Sequence, residues 1–217
     1  GEVLPRWLRE VPLYQRAGYL ARLNGAAVSL AELHRLPLIT KQDIRRDFPC
    51  NFLRAGMDLD ALLDQDLVEL EHTSGTSEER TALLLGRGWW AEQEERALRL
   101  NPDVAMVLDE FPEARRVTIN SPVCSGDICY SGVPSRADRA VGNALFVSLS
   151  RYPFLWSEAE MARMAAEAVE WQPQFLDLDP VYGVIFALYC ERRGIRLPSL
   201  RFILCSYEFA SVAHRRI

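Results

Sequence analysis

A short run of small, hydroxyl-bearing residues in the first half of the chain is the clearest candidate for chemistry. Residues 73–77 read TSGTS and separate the alternating run LVEL from the apolar run TALLL. Glycine and short hydroxyl side chains let backbone amides approach an anion, and the hydroxyls add further donors. The G-x-x-x-x-G-K-[ST] pattern of P-loop enzymes is absent, and two carboxylates, Glu78 and Glu79, follow directly. The stretch therefore fits either a phosphate-binding loop between two strands or an ordinary hairpin turn.

Cysteines and histidines are the other residues that could carry chemistry. Cys124 and Cys129 have C-x4-C spacing, but no second cysteine or histidine pair lies nearby to complete a tetrahedral metal site. The three histidines, His34, His72 and His214, are far apart, and the G-x-S-x-G elbow of a serine hydrolase is absent. The sequence therefore predicts no metal site and no hydrolase triad. It favours reduced, buried thiols for the five cysteines together, and two buried or loop thiols at Cys124 and Cys129.

The elements that precede the TSGTS loop are predicted to be helical. Residues 1–66 contain short apolar patches punctuated by proline, with no run typical of a strand. Ser29 stands three residues before Glu32, and Thr40 stands three residues before Asp43. Each pair fits a capping box at the start of a short helix. We expect residues 1–66 to form a helical N-terminal segment.

From residue 67 onward, strand-length runs alternate with helical stretches. The strand candidates are LVELEH, RTALLLG, RRVTINSPV, NALFVSLS, QFLDLD and LRFILCS. Helices are predicted for WWAEQEERALRLNP, for SEAEMARMAAEAVEW behind Ser157, and for the stretch from Pro180 to Gly194. This alternation predicts a layered α/β subdomain over residues 67–217 with a mostly parallel sheet. The final SVAHRRI is typical of the first turns of a helix, so we expect a subdomain truncated at its C-terminus.

Composition and charge restrict the classes of partner. Apolar residues make up 49% and charged residues 25% of the 217 residues, which is ordinary for a globular protein. The formal net charge of −5 argues against a nucleic-acid partner. The sequence has neither an apolar run of about 20 residues nor a signal-peptide pattern at its N-terminus, so we expect no membrane partner and a cytoplasmic location.

The motifs around the loop together resemble a known family. TSGTS is similar to the phosphate loop of AMP-forming adenylating enzymes, usually [ST]-S-G-[ST]-[ST]-G-x-P-[KT]. The stretches WLREVPLY and LAELHRLPLITKQDIRRDFP resemble the opening of one branch, the phenylacetate–CoA ligase and coenzyme F390 synthetase-like proteins. The stretch from PQFLDLDPVYG to SYEFASVAHRRI resembles a later part of the same branch. The resemblance covers nearly the whole chain in order.

The resemblance implies the N-terminal portion of an ATP-dependent, AMP-forming carboxylate–CoA ligase. In this reaction a carboxylate attacks the α-phosphate of ATP, which gives an acyl-adenylate and pyrophosphate. A thiol of coenzyme A or of a carrier protein then takes the acyl group. The implied partners are ATP, Mg²⁺, a small carboxylic acid and coenzyme A, and members of the family often form homodimers.

The resemblance also assigns roles to individual residues, although no catalytic residue can be assigned. Tyr182 would line the acid pocket, with core packing as the alternative. Glu208 would border the adenine pocket together with Ser206 and Tyr207, with a helix-capping role for Glu208 as the alternative. The residues that would bind the phosphates of ATP are Thr73, Ser74, Gly75, Thr76, Ser77 and Arg80.

Three positions depart from the family pattern. Glu78 replaces the second loop glycine, Glu79 replaces a residue that is often lysine, and Arg80 replaces the proline. The two carboxylates would repel a triphosphate, whereas Arg80 would either bind phosphate or pair with Glu78. The Tyr-Gly-x-[ST]-E motif, the ribose-binding aspartate and the catalytic lysine of the family have no match in this sequence. We therefore expect this chain alone to be inactive, and a degenerate module that binds a nucleotide or a partner protein without turnover stays an alternative.

Overall fold

The computed structural model describes residues 3–16, 34, 36, 38–73, 80–121, 134–206 and 208–217. These residues belong to two compact units, residues 1–94 and residues 95–217. Some sequence predictions concern positions outside the described ranges, namely Ser29 and Glu32, Ser74, Gly75, Thr76 and Ser77, Glu78 and Glu79, Cys124 and Cys129, and Tyr207.

The first unit combines short helices with a β-hairpin. Its strands pair antiparallel, with His72 opposite Ala82 at the loop end. Leu8 is almost completely buried and is packed by Tyr14 and Ile39. The capping box is confirmed at Thr40, whose hydroxyl accepts from the Asp43 amide while the Asp43 carboxylate accepts from the Thr40 amide. The elements are α1 (Val3–Glu10), α2 (Pro12–Arg16), α3 (Lys41–Arg45), α4 (Leu59–Asp64), β1 (Val68–His72) and β2 (Ala82–Gly86), followed by α5 (Trp89–Leu98), which crosses the boundary between the units.

The second unit is built on a five-stranded sheet in the order β4-β5-β3-β6-β7. Strands β5, β3, β6 and β7 run parallel, and the short β4 pairs antiparallel with β5. The elements are α6 (Pro102–Glu110), β3 (Arg116–Ile119), β4 (Ala140–Val141), β5 (Ala144–Phe146), α7 (Glu158–Trp171), β6 (Phe175–Leu178), α8 (Pro180–Arg193) and β7 (Phe202–Cys205), with 3-10 turns at Ala137–Arg139, Pro153–Leu155 and His214–Arg216. The predicted α/β class with a mostly parallel sheet is confirmed.

Local sequence signals explain where the two long helices of this unit begin and end. The Ser157 hydroxyl accepts from the Glu160 amide at 3.1 Å and caps α7. The Asp179 carboxylate accepts from the Val181 amide at 2.9 Å and caps α8, with Pro180 in the first turn. Gly194 ends α8 with φ of +64°, a conformation that glycine adopts without strain.

The core of the second unit lies between one face of the sheet and helices α7 and α8. Alternate residues along β3, β5 and β6 face this core, since successive side chains on a strand point to opposite faces. The buried cluster contains Val117, Ile119, Leu145, Val147, Leu176 and Leu178 from the sheet and Met161, Met164, Ala165, Ala168, Phe186 and Tyr189 from the helices. The intervening strand residues, Thr118 among them, therefore point to the second face.

Some expectations need correction. Helix α6 lies where no separate helix was expected; Asn101 caps it and Pro102 starts it, which is a common pairing at helix N-termini. The expectation of buried thiols is wrong for Cys50 and Cys205, which are exposed, and Cys190 is half-buried. The division of the chain at residue 66 stays a prediction. No helix within the described residues is long and apolar enough to cross a membrane.

Candidate functional site

The stem of the TSGTS loop is a regular hairpin that continues one pair beyond its strands. The Thr73 amide donates to the Thr81 carbonyl at 3.0 Å, and the Thr81 amide donates to Oγ1 of Thr73 at 3.1 Å. Thr81 is only 2% exposed. The predicted strand–turn–strand arrangement is thus confirmed on both sides of residues 74–79, while phosphate binding by the loop stays a prediction.

Two arginines lie at the base of this loop. Arg80 is exposed, and none of the described residues forms an ion pair with its side chain. Its carbonyl accepts a hydrogen bond from Nη2 of Arg45 at 2.9 Å, so helix α3 is tied to the loop stem. Arg45 was not predicted as a site residue, because its position 35 residues before Arg80 carries no local signal. The pair puts positive charge close to where the sequence has Glu78 and Glu79.

A second candidate region lies at the carboxyl edge of the sheet. The backbone hydrogen bonds between strands continue one residue past the strand ends. The Asp179 amide donates to the Ile119 carbonyl, and the Ser206 amide donates to the Leu178 carbonyl. The strand register then aligns four polar residues at this edge, Ser148, Asn120, Asp179 and Ser206. The first three are buried. We refer to these four residues as the polar row.

The strand order makes this edge a favourable place for a ligand. The chain passes from β3 to β5 on one side, and then to β6 and β7 on the other. The connection that follows β3 therefore runs toward one edge of the sheet, and the connection that follows β6 runs toward the opposite edge. Open α/β sheets bind ligands outside the carboxyl ends of their strands at such a switch point. The polar row lies at this edge, which makes it the strongest candidate site within the second unit.

The predicted adenine-side residues lie at the end of β7. The Ser206 hydroxyl donates to Oδ1 of Asp177 at 2.9 Å, which joins β7 to β6 at the carboxyl edge. Glu208 is exposed in a bend, and the next helical turn begins at His214. Its role, at the adenine pocket or as a helix cap, stays a prediction. Although Cys205 is exposed as a residue, partial desolvation of its thiol and the carboxylates of Asp177 and Asp179 raise the pKa of that thiol, which therefore stays protonated at neutral pH.

Tyr182, the predicted pocket residue, makes two defined contacts on the first turn of α8. Its hydroxyl donates to the Arg151 carbonyl at 2.5 Å. Its ring packs edge-to-face on Trp156 with 5.4 Å between centroids. These contacts tie α8 to the segment that follows β5, and the assignment to an acid pocket stays a prediction.

A buried ion-pair cluster fixes the end of β5. Arg139 is almost completely buried and makes two hydrogen bonds to Glu167, at 2.8 Å and 2.6 Å. Arg163 donates to the same carboxylate at 2.9 Å. The two arginines also donate to consecutive carbonyls, Arg139 to Phe146 at 2.7 Å and Arg163 to Val147 at 2.8 Å. Burial opposes ionisation of Glu167, but these hydrogen bonds outweigh it and lower the pKa of the carboxyl group below its ordinary value.

A cavity of about 840 Å³ lies on the face of the sheet that packs against α8. Its walls come from α8, β7 and the C-terminal turn and include Phe186, Ile203 and Ile217. Of the predicted site residues that the structure describes, none lines this cavity. Among the described residues, no cluster of histidine, cysteine, aspartate and glutamate could by itself hold a metal ion.

Comparison with solved structures identifies proteins of similar fold. One is an open conformation of 2-hydroxyisobutyryl-CoA ligase in complex with 2-HIB-AMP and CoA, with a TM-score of 0.52, 18% identity, and coverage of 98% of this chain and 43% of that chain. Another is the same ligase with 2-HIB-AMP and CoA in the thioesterification state, with a TM-score of 0.52, 17% identity, and coverage of 97% and 42%. This chain therefore spans less than half the length of those ligase chains, and the likeness establishes the fold. No family model and no curated protein matches the sequence.

Proposed function

We propose that the chain is the N-terminal portion of an ATP-dependent, AMP-forming ligase. The ligase would activate a carboxylic acid as an acyl-adenylate and pass the acyl group to a thiol. The observation that carries the proposal is the likeness in fold, over 98% of this chain, to a CoA ligase that is in complex with an acyl-adenylate and CoA. The TSGTS sequence between two paired strands supports the same function independently of the fold.

The phosphates of ATP would bind at residues 73–77 and Arg80. The Thr73 oxygen already accepts from the Thr81 amide, which leaves the hydroxyl proton of Thr73 available to an anion. Arg80 is exposed and would offer a charge-assisted hydrogen bond. Such donors act by positioning the triphosphate and by stabilising the charge that develops on the leaving pyrophosphate.

Mg²⁺ would lower the charge of the bound triphosphate. It commonly binds substrate phosphates together with only one or two protein oxygens and several waters. The hydroxyl-rich loop fits this mode, because its hydroxyl groups offer neutral oxygen ligands for the metal ion. A dedicated cluster of carboxylates is not needed.

The carboxyl edge of the sheet would bind the acyl-adenylate. Ser206 and Glu208 would border the adenine, with Tyr207 between them in sequence, and Tyr182 would lie on the acid side. The order of the strands supports this location, because the polar row is at the switch point. Coenzyme A or a carrier-protein thiol would take the acyl group, and the ligase would be a cytoplasmic homodimer related to the phenylacetate–CoA ligase branch.

Release of pyrophosphate tests the proposed reaction. A ligase polypeptide that contains this chain should release pyrophosphate from ATP in the presence of at least one member of a panel of aliphatic and aromatic carboxylic acids. No release with any acid, together with no shift in melting temperature on adding ATP, would contradict the proposal. Binding of ATP without any release would instead favour a non-catalytic nucleotide-binding module, the alternative that Glu78 and Glu79 suggest.

A further inference from the structure

Two hydroxyl groups near the carboxyl edge of the sheet are buried without a hydrogen-bond partner among the described residues. Ser148 is 5% exposed and Thr118 is 2% exposed. Within the part of the chain that the structure describes, neither Oγ of Ser148 nor Oγ1 of Thr118 has a hydrogen-bond partner. Buried polar groups in native proteins are nearly always paired, and an unpaired one is unfavourable for folding. Thr118 lies on β3 and Ser148 lies two residues after the end of β5, so a single ligand at this edge would satisfy both groups.

Both hydroxyls belong to the same face of the sheet. Leu145 and Val147 belong to the core against α7 and α8, as do Val117 and Ile119. Alternation along the strands therefore turns Ser148 and Thr118 away from that core, toward the second face. Thr118 is opposite Phe146 in the register, so Ser148 is two residues further toward the carboxyl edge. The two residues are diagonal neighbours, a Cα separation of about 8 Å for parallel strands of ordinary spacing and rise.

Two arginines fix the backbone immediately before Ser148. The two carbonyls that precede it, those of Phe146 and Val147, accept from Arg139 and Arg163. Glu167 joins these two arginines. A side chain whose backbone is fixed in this way presents its hydroxyl in one place, which is the property required of a residue that selects a ligand.

We propose that Ser148 and Thr118 form a subsite for a hydroxyl substituent on the acyl group, so that the preferred substrates are hydroxylated carboxylic acids. Both protein groups are neutral and can each donate and accept, which suits another hydroxyl. A site built to hydrogen-bond a substrate hydroxyl rejects the analogue that lacks it, because its own buried groups are then left unpaired. The inference rests on the proposed function, since it assumes that an acyl-adenylate binds at this edge.

The test uses non-hydrolysable acyl-sulfamate analogues of the adenylate in matched pairs. One pair carries 4-hydroxyphenylacetyl and phenylacetyl groups, and the other carries lactyl and propionyl groups. Their affinities for a ligase polypeptide that contains this chain are measured by titration calorimetry. We expect the hydroxylated member of at least one pair to bind about 3- to 10-fold more tightly, as one added neutral hydrogen bond would give.

Variants then locate the source of this preference. Ser148→Ala and Thr118→Val should each reduce it, whereas Thr118→Ser keeps a hydroxyl and should retain it. The two hydroxyl-deleting variants should melt at the same temperature as the wild type or higher, because an unpaired buried hydroxyl does not stabilise the fold. A residue with a purely structural role would not give this combination of unchanged stability and lost selectivity.

The outcomes distinguish a failure of the proposed function from a failure of the subsite alone. If neither member of either pair binds, the proposed function is contradicted and the subsite with it. If both members of each pair bind equally, or if the preference survives in both Ser148→Ala and Thr118→Val, the subsite alone is overturned.

Discussion

The amides of Thr73 and Thr81 each donate a hydrogen bond to the other residue, that of Thr73 to the Thr81 carbonyl at 3.0 Å and that of Thr81 to the Thr73 hydroxyl at 3.1 Å. The pair closes the hairpin directly beneath residues 74–79. One side chain thus ends the stem and begins the motif that we propose binds phosphate. Stability of the stem and binding by the loop should therefore respond differently to different substitutions of Thr73.

Replacing Thr73 by valine should destabilise the hairpin. Valine keeps the branched shape but leaves the amide of the buried Thr81 without its acceptor, which costs about 1–3 kcal/mol in the free energy of unfolding. Serine keeps the acceptor and should stay within about 0.5 kcal/mol of the wild type. Urea denaturation measures both values. Equal stability of Thr73→Val and the wild type would show that the bond has no energetic role.

Replacing Glu167 by glutamine should destabilise the second unit. The change leaves Arg139, whose side chain is 4% exposed, without its carboxylate partner. Removal of one member of a buried ion pair typically costs about 3–5 kcal/mol. The exposed pair of Arg99 with Glu95 provides the control, because Glu95→Gln should change the free energy of unfolding by less than about 1 kcal/mol. Similar small effects of both substitutions would contradict a structural role for the cluster.

The lowered pKa of Glu167 predicts that the fold loses stability in acid. The arginines lower the pKa of Glu167 in the folded state, so the unfolded state binds the proton more readily. The stabilisation is complete above the ordinary value of about 4.5 and is lost as the pH falls through the lowered folded-state pKa. Unfolding free energies measured from pH 6 to pH 3 should fall less steeply for Glu167→Gln than for the wild type. Parallel curves would refute this assignment.

Gly183 and Leu178 should be energetically coupled. A methyl group on Gly183 would lie 2.5 Å from Cδ1 of Leu178, which is buried in the core between β6 and α8. Gly183→Ala should therefore cost about 1 kcal/mol, the balance of overpacking against the better helix propensity of alanine. In a Leu178→Ala background the clash is absent and the same substitution should stabilise. A double-mutant cycle without this change of sign would contradict the packing described.

Tyr182 offers a way to separate packing from hydrogen bonding. Tyr182→Phe keeps the edge-to-face contact with Trp156 and removes only the bond to Arg151, so it should cost about 1 kcal/mol. Tyr182→Ala should cost about 3 kcal/mol or more, because the ring is lost as well. Thermal or urea unfolding distinguishes the two. Equal losses in both variants would assign the whole effect to the hydroxyl.

The sequence was informative where a feature is local. The caps at Thr40, Ser157 and Asp179 and the C-terminal glycine of α8 are readable within a few residues, and the alternation of strands and helices predicted the sheet. Strand order and register are not local, so the polar row could not be predicted. Ser148 and Asn120 are adjacent only because β5 returns beside β3. Arg45 at the loop base and the link between Arg139 and Glu167 escaped prediction for the same reason, since their partners are 35 and 28 residues away.

The affinity of the chain for ATP tests the central claim most directly. Titration of the wild type with ATP and Mg²⁺ should show saturable binding. Thr76→Ala and Arg80→Ala should each weaken it by about 3- to 10-fold, through loss of one donor to phosphate. Ser157→Ala, a cap of α7 remote from the loop in sequence, should bind ATP as the wild type does. Undetectable binding by the wild type, or unchanged affinity in both loop variants, would contradict the account.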